Sequence, residues 1–171
     1  MYPRFMNNTQ VQSSISKFIP LIVIFSVIIL FTAFRVISFG EWDTVFAMRN
    51  FMGAFFIVFG GFKVIKWGGF VEAYQMYDVI AKRSKVYAYL YPLIELALGI
   101  AYLTGFQLLA INWITLSIML VSSIGVAKEL LKGEEIVCAC LGAVFKIPMT
   151  KVTLIEDLLM AGMALSMIIW F

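Results

Sequence analysis

Long runs of apolar residues, separated by short polar segments, make up most of the chain. Five of them are each close to the length, about 20 residues, that an α-helix needs to cross the hydrocarbon core of a bilayer. They occupy residues 18–39, 46–67, 86–104, 106–127 and 152–171. A bilayer core offers the backbone no hydrogen-bond partners, and the runs lack the polar–apolar alternation of a membrane β-barrel. The pattern therefore predicts membrane-spanning helices.

A short segment between the second and third runs has a helical period of its own. Four residues recur three or four positions apart, namely Phe70, Tyr74, Tyr77 and Ala81, and polar side chains occupy the opposite side. This pattern is typical of a helix that lies at the membrane surface. We expect such an interfacial helix over residues 70–82.

The composition indicates an integral membrane protein. The chain is 63% hydrophobic and 13% charged, whereas soluble domains average about 45–50% apolar and about 25% charged residues. The first run, 18–39, is longer than the core of a cleaved signal peptide, so we expect it to be retained as a span after a short tail, residues 1–17. The predicted fold class is an all-α helical bundle in the lipid bilayer.

The basic residues predict the orientation of the spans. The net charge is +3, and the Lys and Arg residues are spread over short segments, which is not the patch that nucleic-acid binding requires. With a cytoplasmic N-terminus, eleven basic residues, Lys63 among them, lie inside, and only Arg35 and Arg49 lie outside. Cytoplasmic loops carry such an excess of Lys and Arg. We expect a multi-pass protein of the inner (cytoplasmic) membrane and no nucleic-acid partner.

Both cysteines of the chain, Cys138 and Cys140, are separated by one residue in the segment 133–150, and the chain has no histidine. A tetrahedral Cys/His zinc site cannot be built from these residues alone. On a helix the two thiols would face opposite ways, but on an extended or turned backbone they point to the same side. Gly142 and Pro148 disfavour a helix here. We therefore expect a non-helical loop in which the thiols act together.

Two chemistries suit this pair of thiols. One is reversible dithiol–disulfide exchange with a partner, because a disulfide across a single residue is strained and easily reduced; Lys132 or Lys146 would favour the thiolate. The other is capture of a soft cation such as Cu(I) by two thiolates, delivered by a metallochaperone. A third interpretation is a structural membrane subunit in which the cysteines are ordinary small buried residues.

An acidic residue, Glu95, lies near the middle of the third run, three positions after Pro92. Acids inside a membrane span are functional candidates, and a proline frees a backbone carbonyl that makes a polar pocket plausible. The alternative is a structural ion pair with Lys63 or Arg49 on the second run. Glu95 therefore joins Cys138 and Cys140 as a candidate catalytic residue.

Two adjacent acids, Glu156 and Asp157, begin the last run. Thr153 and Glu156 have the spacing of a capping box, which predicts a helix start at Thr153 and both acids in its first turn near the interface. The competing interpretation is that these acids approach the cysteine loop and assist proton or cation transfer.

Several stretches, taken together, resemble the MauE/DoxX group of redox-associated membrane proteins over residues 46–171. The stretches are Arg49, GGFK at 60–63, YQMYDVIAKR at 74–83, YPLIELALG at 91–99, CACLG at 138–142 and VTLIEDLLM at 152–160. The chain is also similar to the membrane half of bacterial proteins in which a heavy-metal-associated domain precedes the first span. The resemblance implies a four-helix bundle with residues 18–39 as an additional N-terminal span.

The same resemblance implies a role in handling thiols. In methylamine-using bacteria the family supports maturation of the disulfide-rich small subunit of methylamine dehydrogenase, alongside a thioredoxin-like partner. Members often have Cys-Gly-Cys-Phe-Gly where this chain has Ala139 and Leu141 in place of the Gly and Phe. The implied function is a thiol–disulfide exchange component. In the redox hypothesis for this chain, Cys138 and Cys140 are the exchanging pair, and Glu95 and Asp78 are the candidates for shaping or protonating the site.

Overall fold

The computed structural model describes residues 8–132 and 150–170, with side chains over 19–132 and 153–170. All regular secondary structure in these residues is helical, and five of the helices are long and apolar enough to cross a membrane. The predicted all-α membrane bundle is therefore confirmed. The helices are α1 (Asn8–Phe39), α2 (Thr44–Ile65), α3 (Trp67–Tyr77), α4 (Lys85–Thr104), α5 (Leu108–Leu131) and α6 (Thr150–Trp170).

Helix α1 lies at the edge of the bundle, where it packs on α2. Only 11% of its spanning segment is buried, compared with 50% for that of α2. Leu21 and Ile28 are its buried contacts with the core, and the Arg35 Nε donates a hydrogen bond to Asn50 Oδ1 at 3.0 Å. The remaining four spans form the core, with α1 added at its side.

The core is built from two closely packed helix pairs, α2 with α4 and α5 with α6. In the first pair the backbones touch at Gly53 and Gly99. A Cβ atom on Gly53 would lie 3.1 Å from the Gly99 carbonyl oxygen, and one on Gly99 would lie 3.0 Å from the Gly53 oxygen. Small residues allow such close approach between membrane helices. Aromatic rings fill the neighbouring space, with Phe56 stacked on Tyr102.

Four spans meet at the end of the bundle where α3 packs, two by their C-terminal ends and two by their N-terminal ends. There α2 and α5 end, α4 and α6 begin, and α3 contacts α2, α4 and α5. We call this the α3 end of the bundle. The described residues after α5 end at Lys132 and resume at Thr150 of α6, both at the α3 end.

Several helix bounds differ from those expected. Helix α1 begins by Asn8, within the segment expected to be a short tail. Helix α3 covers Trp67–Tyr77, whereas the sequence placed a helix over 70–82; turns follow instead, because Asp78 takes an extended backbone conformation with ψ 138°. The predicted cysteine loop, 133–150, lies outside the described residues except for Thr150, which is already helical.

Candidate functional site

Charged side chains from three spanning helices meet in a cavity at the α3 end. Lys63 comes from α2, Glu95 from α4, and Glu156 and Asp157 from α6. The cavity has a volume of about 20 Å³, which is enough for about one water molecule. We call these four residues the charged cluster.

Lys63 and Glu95 form a buried ion pair. The Lys63 Nζ donates to Glu95 Oε1 at 2.5 Å, and the two residues are 8% and 3% exposed. The sequence predicted Lys63 or Arg49 as the ion-pair partner of Glu95, and in the structure the partner is Lys63. The Arg49 guanidinium lies instead over the Phe46 ring, with its Cζ 4.6 Å from the ring centroid. The second oxygen of Glu95, Oε2, is buried and has no hydrogen-bond partner among the described residues.

The two acids of α6 lie in the cavity and not in a first helical turn near the interface. Helix α6 is already formed at Thr150, so Thr153 is inside the helix and the capping-box interpretation is wrong. Residues three apart share a helix face, and here the face of Thr153 and Glu156 lines the cavity. The neighbouring Asp157 carboxyl is hydrogen-bonded to Ser122 of α5. Both acids therefore belong to the charged cluster.

Aromatic side chains close the cavity around the ammonium group of Lys63. The Nζ lies 5.1 Å from the centroid of the Tyr91 ring and 5.5 Å from that of Phe70, within the range of a cation–π interaction. Tyr74 and Tyr77 of α3 complete this wall. Burial raises the pKa of the Tyr74 and Tyr77 hydroxyls well above their usual value, so both phenols stay protonated.

The turn after α3 is held by Asp78 and anchored to the end of α5. Asp78 Oδ1 accepts hydrogen bonds from the backbone N–H groups of Ile80 (2.9 Å) and Ala81 (2.7 Å). From the same turn, Lys82 donates to the buried Glu129 carboxylate at 2.7 Å. These bonds hold α3 in place as a wall of the cavity.

Replacing Asp78 by alanine is expected to lower the unfolding free energy by about 1–2 kcal/mol, as for loss of other side-chain caps of backbone N–H groups. Asp78→Asn is the matched control, because its amide oxygen can still accept from the two N–H groups. Thermal unfolding of the detergent-solubilised chain measures both variants. Equal losses for the two variants would contradict the capping role.

The described residues contain only part of the predicted site. Glu95 is in the charged cluster, and its catalytic role stays a prediction; Cys138 and Cys140 lie outside the described residues. Among residues 8–132 and 150–170, no group of three or more His, Cys, Asp or Glu side chains is arranged to hold a metal ion. The sequence counted Lys63 among the topology charges and also offered it as an ion-pair partner of Glu95, and the structure confirms that pair.

One family model matches the chain, that of the methylamine utilisation protein MauE, over residues 41–170. No curated protein and no solved structure matches the chain. The matched region contains the charged cluster, α3 and both cysteines. The resemblance to MauE is thereby confirmed, while the DoxX and heavy-metal-domain resemblances stay predictions. Because the match covers well over half of the 171 residues, the chain is a membrane protein that belongs to the MauE family.

Proposed function

We propose that this protein serves methylamine utilisation by exchanging thiols and disulfides with a thioredoxin-like partner through Cys138 and Cys140. The observation that carries the proposal is that the only two cysteines of the chain are one residue apart within the family match. Two thiols at this spacing can form a strained, easily reduced disulfide, which suits exchange better than scaffolding.

The exchange conserves atoms and electrons. A thiolate of the pair attacks a disulfide sulfur of the partner, and the partner's other sulfur leaves as a thiolate. The second cysteine then attacks the mixed disulfide, so that the Cys138–Cys140 bond forms and the partner carries two thiols. Two electrons pass to the partner and two protons follow. The reverse reaction uses the same steps, and the reduction potentials of the two pairs set the direction.

The short chain distance between the cysteines and the end of α5 supports a role for them near the α3 end. Cys138 follows Lys132, the last residue described after α5, by six residues, and six residues span at most about 20 Å. With a cytoplasmic N-terminus in a bacterial inner membrane, the α3 end faces the cytoplasm. Thiol labelling from each side of the membrane tests this orientation.

Single cysteine variants test the exchange directly. We expect Cys138→Ser or Cys140→Ser to trap a mixed disulfide with a purified thioredoxin-like protein, because the resolving thiol is missing. The double Ser variant is the matched control and should trap none. Non-reducing gels and mass spectrometry of the joined peptides give the readout.

The proposal fails if neither single variant captures the partner and the wild-type pair stays reduced under mild oxidant. Stoichiometric Cu(I) binding that is lost in the double Ser variant, without thiol exchange, would favour a soft-metal function instead. Unchanged function of the double Ser variant in cells would favour a structural subunit.

A further inference from the structure

Three spanning helices have the same pair of residues at the α3 end, an exposed aliphatic residue next to an exposed lysine. Helices α2 and α5 each end on an aliphatic residue that a lysine follows directly, and α4 begins on a lysine that an aliphatic residue follows. The aliphatic residues are Ile65, Val86 and Leu131, which are 71%, 68% and 87% exposed. The lysines are Lys66, Lys85 and Lys132, and all three are exposed. We call these three lysines the boundary lysines.

A helix end does not by itself explain a lysine at all three positions. The helix dipole favours a cation at the C-terminal end of a helix and disfavours one at the N-terminal end. Lys66 and Lys132 follow the last residues of α2 and α5, but Lys85 is the first residue of α4. What the three lysines share is the boundary between the apolar surface of a membrane span and the polar end of the bundle.

Two aromatic residues mark the same boundary. Trp67 Nε1 donates a hydrogen bond to the backbone carbonyl oxygen of Tyr89 at 3.0 Å, and the centroids of the two rings are 6.2 Å apart. Trp67 directly follows Lys66, and Tyr89 lies about one helical turn after Lys85. Because Trp and Tyr are enriched at the headgroup level of a bilayer, this pair places the boundary lysines at headgroup depth. Their apolar stems can cover the aliphatic surface while the ammonium groups reach the lipid phosphates.

The described residues place few carboxylates beside these lysines. Two of the boundary lysines, Lys66 and Lys85, form no ion pair in the described part of the chain. The third shares a single oxygen, Glu129 Oε1, with Lys82. Glu72 is the only exposed acid that the described residues place at the α3 end. Within these residues, positive charge therefore exceeds negative charge at the surface of the α3 end.

We propose that the boundary lysines bind the phosphate groups of anionic phospholipids in the bilayer leaflet at the α3 end. Lysine binds a phosphate as a point charge, and the aliphatic residue beside each lysine contacts the acyl chains of the same leaflet. A phospholipid therefore satisfies both residues of each pair, whereas a soluble phosphate would satisfy the lysine alone. This lipid-binding surface goes beyond the proposed thiol exchange and does not depend on it.

A lipid titration of the purified full chain in a neutral detergent tests the proposal. Native mass spectrometry measures the binding of phosphatidylglycerol and of phosphatidylcholine with the same acyl chains. We expect phosphatidylglycerol to bind more tightly, and its affinity to fall roughly fivefold for each boundary lysine that is replaced by glutamine. The preference should also weaken as the salt concentration rises, because these charges are exposed.

A charge-conserving variant is the matched control. The Lys66→Gln/Lys85→Gln/Lys132→Gln chain should bind the two lipids almost equally. The Lys66→Arg/Lys85→Arg/Lys132→Arg chain keeps the positive charges and should keep the preference for phosphatidylglycerol. If the triple glutamine chain does not fold, the single variants Lys66→Gln and Lys85→Gln carry the test, because neither lysine forms an ion pair among the described residues.

Four results would overturn the proposal. One is equal binding of the two lipids by the wild-type chain. Another is an unchanged preference in the glutamine variants, which would place the lipid phosphates on other residues. Loss of the preference in the arginine variant would show that positive charge does not produce it, and release of phosphatidylglycerol by inorganic phosphate would identify a site for soluble phosphate. The cysteine variants do not enter this experiment, so it can fail while thiol exchange succeeds, and the reverse.

Discussion

Replacing Lys63 by methionine is expected to lower the unfolding free energy by about 3–5 kcal/mol, because it removes one partner of a buried ion pair and leaves the other charge uncompensated. Lys63 is 8% exposed and Glu95 is 3% exposed, so little water reaches the broken pair. The loss should be large here because the cavity already contains Glu156 and Asp157. Methionine keeps the length and the apolar stem of lysine, which leaves charge as the main change.

A double-mutant cycle separates the interaction energy between Lys63 and Glu95 from the effects of their surroundings. Glu95→Leu removes the stranded carboxylate, so the Lys63→Met/Glu95→Leu chain should be more stable than the sum of the single losses predicts. Lys66→Met, at an exposed lysine three residues on, is the matched control and should change stability by no more than about 0.5 kcal/mol. Reversible unfolding in mixed micelles measures all four variants. Equal stability of the Lys63 and Lys66 variants would contradict a buried pair.

The fold was predictable from the sequence because a lipid environment allows few backbone structures. Each apolar run had to form a helix to satisfy its backbone, and the five runs correspond to the five spanning helices. The exact helix ends were less predictable. Asp78, for example, ends α3 because its carboxylate accepts hydrogen bonds from the N–H groups of the turn that follows. The helical periodicity of residues 70–82 gives no sign of these hydrogen bonds.

The site was predictable only in part. Glu95 was found from the sequence because a charge inside an apolar run is costly and therefore informative. Its pairing with Lys63 in preference to Arg49 depends on where α2 and α4 cross, which a single sequence does not specify. For Glu156, the spacing to Thr153 matches both a capping box and one face of a helix. Only the helical Thr150 upstream distinguishes these two arrangements.

Replacing Gly125 by alanine is expected to push α5 away from the end of α3 and to lower the unfolding free energy by about 1–3 kcal/mol, the usual cost of overpacking. A Cβ atom there would lie 2.7 Å from the Tyr77 carbonyl oxygen and 3.1 Å from the Asp78 Cα. Both atoms belong to the backbone, so no side chain can rotate aside to make room. The whole turn must move.

Gly162→Ala is the matched control, because this glycine also lies within a spanning helix and a Cβ there would meet nothing within 4 Å. It should be neutral or stabilising by up to about 1 kcal/mol, from the better helix propensity of alanine. Hydrogen exchange adds a local readout: the amides of Ile80 and Ala81, which donate to Asp78 Oδ1, should exchange faster in Gly125→Ala only. Similar exchange in both variants would show that α5 does not hold this turn. Faster exchange limited to Gly125→Ala would show that the contact of α5 with α3 keeps the wall of the charged cluster closed.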